Sequence, residues 1–155
     1  MQRLVSLFCL LLFTSVVQIH AQTQTQAPAT PDAELIKQTA LDYIEGYYEG
    51  NGERMERALH PELAKRIVRR DDRGRYSLGQ MSAMTLVQIT RSGGGKDIPK
   101  DKQQKDVTVL DIFGNAAVAK VVASDWIDYL QLAKWNGRWV IVNVLWELKP
   151  KEPAK

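Results

Sequence analysis

Residues 126–148 read WIDYLQLAKWNGRWVIVNVLWEL. Two runs rich in aromatic and branched side chains flank Asn136-Gly137. That dipeptide is the strongest short signal for a two-residue hairpin, because the favoured turn needs positive φ at both positions. A two-residue turn also fixes register. With Trp135 opposite Arg138, Leu132 faces Ile141, Leu130 faces Asn143 and Asp128 faces Leu145. One face of the hairpin then carries Trp126, Asp128, Leu130, Leu132, Trp139, Ile141, Asn143 and Leu145. The other carries Ile127, Tyr129, Gln131, Ala133, Val140, Val142, Val144 and Trp146. Both faces are largely apolar, whereas a lone antiparallel sheet normally keeps one face wet. The pattern predicts that one face packs on helices and the other on a second copy of the chain, as a homodimer.

Upstream, Lys105–Phe113 is β-rich and ends at Gly114-Asn115, a second hairpin signal, with Ala116–Ala123 as the return strand. The four runs make an antiparallel meander. Before them the period is helical. Ile36, Ala40, Tyr43, Ile44 and Tyr47 recur at spacings of three and four, one face of an amphipathic helix. Asp32 is its expected N-cap and Gly50-Asn51-Gly52 its stop. Met55, Ala58 and Leu59 predict a short second helix, broken at His60-Pro61. Residues 62–68 suit either a further helical turn or a short strand, and 71–75 a turn. Leu78–Arg91 predicts a third helix, stopped by Gly93-Gly94-Gly95, which reads as a flexible loop. Helices followed by an antiparallel meander is an α+β order.

The chain begins with Arg3, an apolar run Leu4–Val17 and a small residue, Ala21. That is the pattern of a cleavable secretory signal over residues 1–21, with an apolar stretch too short to span a bilayer comfortably. Residues 22–31 (QTQTQAPATP) read as a flexible spacer, 32–150 as one domain and 151–155 as a polar tail. Cys9, the only cysteine, lies in the signal, so the mature chain has neither disulfide nor thiolate chemistry. Export without disulfides predicts a bacterial periplasmic or secreted protein, with no membrane partner after cleavage. Loss of residues 1–21 removes Arg3 alone among the charges and takes the formal net charge from +3 to +2. That excess is too small to imply nucleic acid. The basic run 65–70 (KRIVRR) lacks aromatic interleaving and is followed at once by Asp71-Asp72.

Asp128 is the strongest candidate for chemistry. A carboxylate on a face of Trp and Leu is costly unless paired or protonated, and desolvation suits such a group to acid/base work. Asn143, on the same predicted face, is a candidate to orient a ligand carbonyl. His60, the only histidine after residue 21, is a candidate proton carrier. Tyr43 and Tyr47, four apart on the inward helix face, are candidate hydrogen-bond donors to a ligand, and Trp126 a surface for a flat ligand to stack on. One histidine and no cysteine give no zinc site, and no cofactor motif is present. The glycine triplet lacks the Gly-Lys-Ser/Thr ending of a phosphate loop.

Several segments together resemble one superfamily. Asp42–Gly50 (DYIEGYYEG), Met55–Pro61 (MERALHP), Trp126–Leu132 (WIDYLQL) and Gly137–Trp146 (GRWVIVNVLW) occur in order. The chain resembles the nuclear transport factor 2-like superfamily, and within it the lumazine-binding branch, over residues 33–148. The resemblance implies a cystatin-like cone: N-terminal helices packed on a curved antiparallel β-sheet around an apolar pocket. The branch name implies a pteridine ligand. The superfamily includes isomerases, dehydratases, cyclases and plain binding modules, so the fold alone does not choose among them. In the resembling enzymes an Asp with a His or Tyr moves a proton beside a carbonyl, which here implies Asp128, His60 and Tyr43. The leading expectation is an exported protein that binds a small hydrophobic or aromatic molecule without catalysis. An isomerase or dehydratase-like lyase, or a homodimeric interaction module with no ligand, are the alternatives.

Overall fold

The structure is a computed structural model and describes residues 30–150. The signal segment, all but the end of the spacer and the polar tail lie outside the described residues. Helix α1 (Pro31–Glu49) starts one residue before the expected cap. Thr30 caps it, its Oγ1 accepting from the Ala33 N–H at 3.2 Å, with Pro31 in the first turn where no N–H is missed. Asp32 instead ties the helix to the sheet. Its Oδ1 accepts from Trp139 Nε1 at 2.9 Å and from Lys134 Nζ at 2.9 Å. The indole N–H, and after it Lys134, hold that carboxyl below the ordinary carboxylate range. Gly50, at φ +65°, closes α1 as expected.

Asn51 caps α2 (Gly52–Ala58) through its Oδ1 and the Arg54 N–H. Pro61 then forbids further helix, and the chain turns directly into a long strand, β1 (Leu59–Arg70). The ambiguous stretch 62–68 is therefore strand. The expected helix over 78–91 divides. Tyr76–Ser82 forms β2, antiparallel to β1, and only Ala83–Arg91 forms α3. Ser82 is the divider, its Oγ accepting from the Thr85 N–H at 3.2 Å. Gly79 weakens the helical alternative, and Leu78 and Met81 alternate across the strand. A short 3₁₀ turn (Lys100–Lys102) leads to the meander β3 (Lys105–Phe113), β4 (Ala116–Ala123), β5 (Trp126–Trp135) and β6 (Arg138–Leu148).

The six strands form one curved sheet in the order β2-β1-β6-β5-β4-β3. The meander is antiparallel throughout, and β1 lies parallel to β6, which makes the sheet mixed. The three helices pack on its inner face around fully buried Ile36, Ile44, Met55 and Leu130.

Register near the Asn136-Gly137 turn is as expected, with Trp135 opposite Arg138 and Leu132 opposite Ile141. Beyond it a bulge at Val142 slips β6 by one residue. Gln131 faces Asn143, Leu130 faces Val144 and Asp128 faces Trp146. A bulge reverses which side chains point inward on its far side. Val144 and Trp146 therefore join the core, while Asn143 and Leu145 move to the outer face.

Candidate functional site

A cavity of about 320 Å³ lies between α1, α3 and the inner face of the sheet. Tyr43, Ile44 and Tyr47 reach it from α1, Leu86 and Ile89 from α3, Lys65 and Met81 from the β1–β2 pair, and Trp126 and Trp146 from β5 and β6. Tyr47 and Trp126 meet edge to face, ring centroids 5.5 Å apart and planes at 85°. The loop after α3 holds Tyr47 in place. The Gly95 N–H donates to the Tyr47 carbonyl at 3.2 Å, and Gly94 and Gly95 lie against the Tyr47 ring closely enough to exclude a Cβ. Two glycines of the triplet, Gly94 and Gly95, are thus packed against Tyr47, and Gly93 is not.

Behind this wall sits Asp128, with no exposed surface. Its Oδ2 accepts from Trp126 Nε1 at 2.7 Å and from Tyr43 Oη at 3.1 Å, and its Oδ1 from Lys65 Nζ. Lys65 Nζ also donates to Tyr43 Oη at 2.6 Å. The ammonium stands over the Trp146 ring at 4.8 Å and the Tyr43 ring at 5.4 Å. A buried carboxylate and a buried ammonium are each costly alone, and here each is the other's counter-ion with hydrogen bonds completing the set. Burial pushes the Lys65 pKa down, opposed by the Asp128 charge. Burial, and after it the Asp128 charge, pushes the Tyr43 hydroxyl well up, so it stays protonated. Burial also raises Tyr47.

Sequence reasoning missed Lys65. The signal was present: Leu63, Lys65 and Ile67 alternate as one inward strand face, but only once residues 62–68 are read as strand. Parallel pairing then sets Lys65 beside Val144, one strand from Leu130 and Asp128.

The other candidates divide. Tyr43, Tyr47 and Trp126 share the cavity with Lys65. His60 does not. Its ring meets Trp135 edge to face at 5.1 Å, its Nδ1 accepts from the Glu62 N–H at 3.2 Å, and it lines a separate cleft of about 300 Å³ with Glu56, Met84 and Arg91. Asn143 lies on the outer face, where the bulge puts it, and its Nδ2 donates to Gln131 Oε1 at 3.1 Å. The acid/base set Asp128, His60 and Tyr43 therefore does not meet at one cavity. Asp128 has its charge paired with Lys65 and its oxygens engaged by three donors, and it is not among the residues that line the cavity. No cluster of three or more His, Cys, Asp or Glu side chains suited to a metal occurs among the described residues. No helix among them is long and apolar enough to cross a membrane.

Comparison with known proteins agrees with this architecture. An NTF2-like protein of unknown function from Methylobacillus flagellatus is 26% identical, with a TM-score of 0.61 over 77% of this chain and 93% of that one. One from Shewanella baltica, also of unknown function, is 18% identical, with a TM-score of 0.57 over 77% and 95%. An NTF2-like protein with a cystatin-like fold from Novosphingobium aromaticivorans is 13% identical, with a TM-score of 0.55 over 76% and 81%, and shows the fold alone. No curated protein matches the chain. The family described as "Putative lumazine-binding" matches residues 31–147, and the chain belongs to that family.

Proposed function

We propose that the chain is an exported, non-catalytic protein that holds a small, flat, largely apolar molecule in the cavity between α1, α3 and the sheet. The observation that carries this reading is the cavity itself: about 320 Å³, walled by the rings of Tyr47, Trp126 and Trp146, with a few polar atoms on one side. Ligand sites are typically apolar concavities of roughly 300–1,000 Å³ with a small number of placed polar groups. The family description names lumazine, a flat bicyclic ring system of a size that suits this space. Export rests on the pattern of residues 1–21.

Native and denatured mass spectra of the protein purified from its own host test both parts. The expected result is a chain beginning after Ala21, carrying a small molecule released on denaturation and lost in a cavity-filling Ile89→Trp variant. A bare chain whose tryptophan emission is also unmoved by aromatic probes overturns the ligand reading.

The outer face of the sheet favours a homodimer. Tyr129 and Leu145, cross-strand partners, are 45% and 54% exposed, and Val68 and Leu78, paired on β1 and β2, are 46% and 60% exposed. Arg66, opposite Leu145 on β1, stands between the two pairs, and exposed apolar side chains rimmed by polar ones mark interaction surfaces. Because the bulge turns Trp146 inward, Leu145 is the residue to test. Leu145→Glu is expected to convert a dimer to a monomer by light scattering, at an unchanged melting temperature of the monomer fold. A wild-type monomer, or a variant with wild-type mass, excludes this interface.

A further inference from the structure

The cavity is charged differently at its deep end and at its mouth. At the deep end Lys65 is buried and paired with Asp128, and the two charges cancel. The mouth is made by half-buried Tyr47 and Trp126 and by exposed Ile89, Leu148 and Asp125. Asp125 is the one carboxylate among the lining residues. Its backbone is engaged, the carbonyl accepting from the Lys149 N–H at 2.8 Å. Its carboxylate makes no hydrogen bond or ion pair among the described residues. Lys149 does not neutralise it, because Nζ donates instead to Gln104 Oε1 at 2.8 Å and to the Ser124 carbonyl at 3.1 Å. Taken over Lys65, Asp128 and Asp125, the cavity carries one negative charge in excess, and that charge stands at the opening.

Two rings flank it. Trp126 follows Asp125 in the chain, and Tyr47 meets Trp126 at close to a right angle, so the two planes form a corner. Burial, then Tyr48 and the Asp125 charge, push the Tyr47 hydroxyl pKa up, which places the carboxylate within electrostatic reach of that ring. An aromatic corner beside a free carboxylate attracts a cation by two routes, the negative faces of the rings and the charge itself.

We propose that Asp125, with the rings of Tyr47 and Trp126, is a subsite for an organic cation, an ammonium carried as a substituent on the ring of the ligand. The inference rests on the ligand reading above and adds a charge to it. The apolar body of the ligand fills the cavity and its cationic group stays at the mouth, still partly in water. Lys65 is no obstacle, since its charge is balanced by Asp128 and its ammonium lies over the Trp146 ring. A ligand anion would meet Asp125 with no unpaired cation to offset it.

Calorimetric titration at neutral pH with three bicyclic probes of like size tests the class: 2-naphthylmethylammonium (a cation), 2-methylnaphthalene (uncharged) and 2-naphthoate (an anion). The cation is expected to bind about tenfold more tightly than 2-methylnaphthalene, the joint effect of one exposed ion pair and one cation–π contact. Naphthoate is expected to bind more weakly than 2-methylnaphthalene. The cation's advantage should shrink from low salt to about 0.5 M salt, because exposed charges are screened. Asp125→Asn keeps the shape of the mouth and removes the charge. It should cut the cation's advantage to about two- to threefold, tighten naphthoate and leave 2-methylnaphthalene unchanged. Binding of 2-methylnaphthalene with no preference for the cation overturns the subsite while leaving the cavity reading intact. So does a preference that is indifferent to salt or survives Asp125→Asn undiminished. Failure of all three probes to bind removes both.

Discussion

Asp128→Ala is expected to destabilise the fold by about 3–5 kcal/mol, most of it from leaving the Lys65 ammonium buried without a counter-ion. Two neutral donors, Tyr43 Oη and Trp126 Nε1, lose their acceptor at the same time. The effect has a pH signature. In the native chain burial lowers the Lys65 pKa from 10.5 and the Asp128 charge opposes it. Without Asp128 burial acts alone, and the folded-state pKa falls further. Between that value and 10.5 the unfolded chain binds a proton at Lys65 that the folded chain does not, so stability rises with pH across this window. The deficit of Asp128→Ala relative to wild type is therefore greatest at neutral pH and narrows on the way to pH 10. Above the ordinary tyrosine value of 10.0, Tyr43 works the other way in wild type. The folded chain keeps a phenolic proton that the unfolded chain has lost, and stability falls. Urea midpoints from pH 7 to pH 11 check both arms. A deficit below 1 kcal/mol at pH 7, or one that widens with pH, would show that the pair is not formed as described. Lys65→Met combined with Asp128→Leu removes both buried charges, and is expected to be more stable than either single change because no uncompensated ion remains.

The anomaly that marks this pair was legible before its partner was. Asp128 stands out on a strand of Trp, Ile, Tyr and Leu, and a carboxylate there had to be paired or protonated. Its partner depended on topology. Lys65 reaches Asp128 only because β1 runs parallel to β6, a pairing across nearly eighty residues that no local pattern announces. The two hairpins were readable because their turns need particular backbone angles, and Asn136 and Gly137 adopt them, at φ 49° and 79°. The slip beyond them was not, because the bulge falls in a run of valines and an asparagine that would suit either register. That single residue decides which face each later side chain occupies. It moves Asn143 away from the cavity and brings Trp146 into it. The β2–α3 boundary was hidden for a related reason. Met81, Met84 and Ile89 fit a helical period, and the period alone does not reveal that Met81 reaches the cavity from a strand.

The loop after α3 carries the second large expected effect, and its two glycines separate by what each opposes. A Cβ on Gly94 would stand 2.7 Å from Cε2 of Tyr47 and 3.2 Å from the Ile89 carbonyl oxygen. On Gly95 it would stand 2.6 Å from Cδ1 of Tyr47 and 2.9 Å from the Tyr47 carbonyl oxygen. The first conflict is chiefly with a side chain, which can swing. The second includes backbone held in α1 and tied to the loop by the Gly95 N–H. Overpacking of this kind typically costs 1–3 kcal/mol, so Gly95→Ala is expected to lose about 2–3 kcal/mol and Gly94→Ala about 1 kcal/mol. The neighbours of Tyr47 give Gly94→Ala a functional consequence out of proportion to its stability. The ring already touches Trp126 on one side, so the added methyl displaces it towards the cavity and weakens probe binding. Tyr47→Ala should relieve the Gly94→Ala conflict, giving a double variant more stable than the sum of its parts predicts. It should leave much of the Gly95→Ala deficit, because the carbonyl stays where it is. Urea midpoints for both cycles decide the matter. Near-additivity at Gly94, or full rescue at Gly95, would mean that the loop yields on substitution. In that case Tyr47 would be placed by α1 alone rather than clamped between the glycine wall and Trp126.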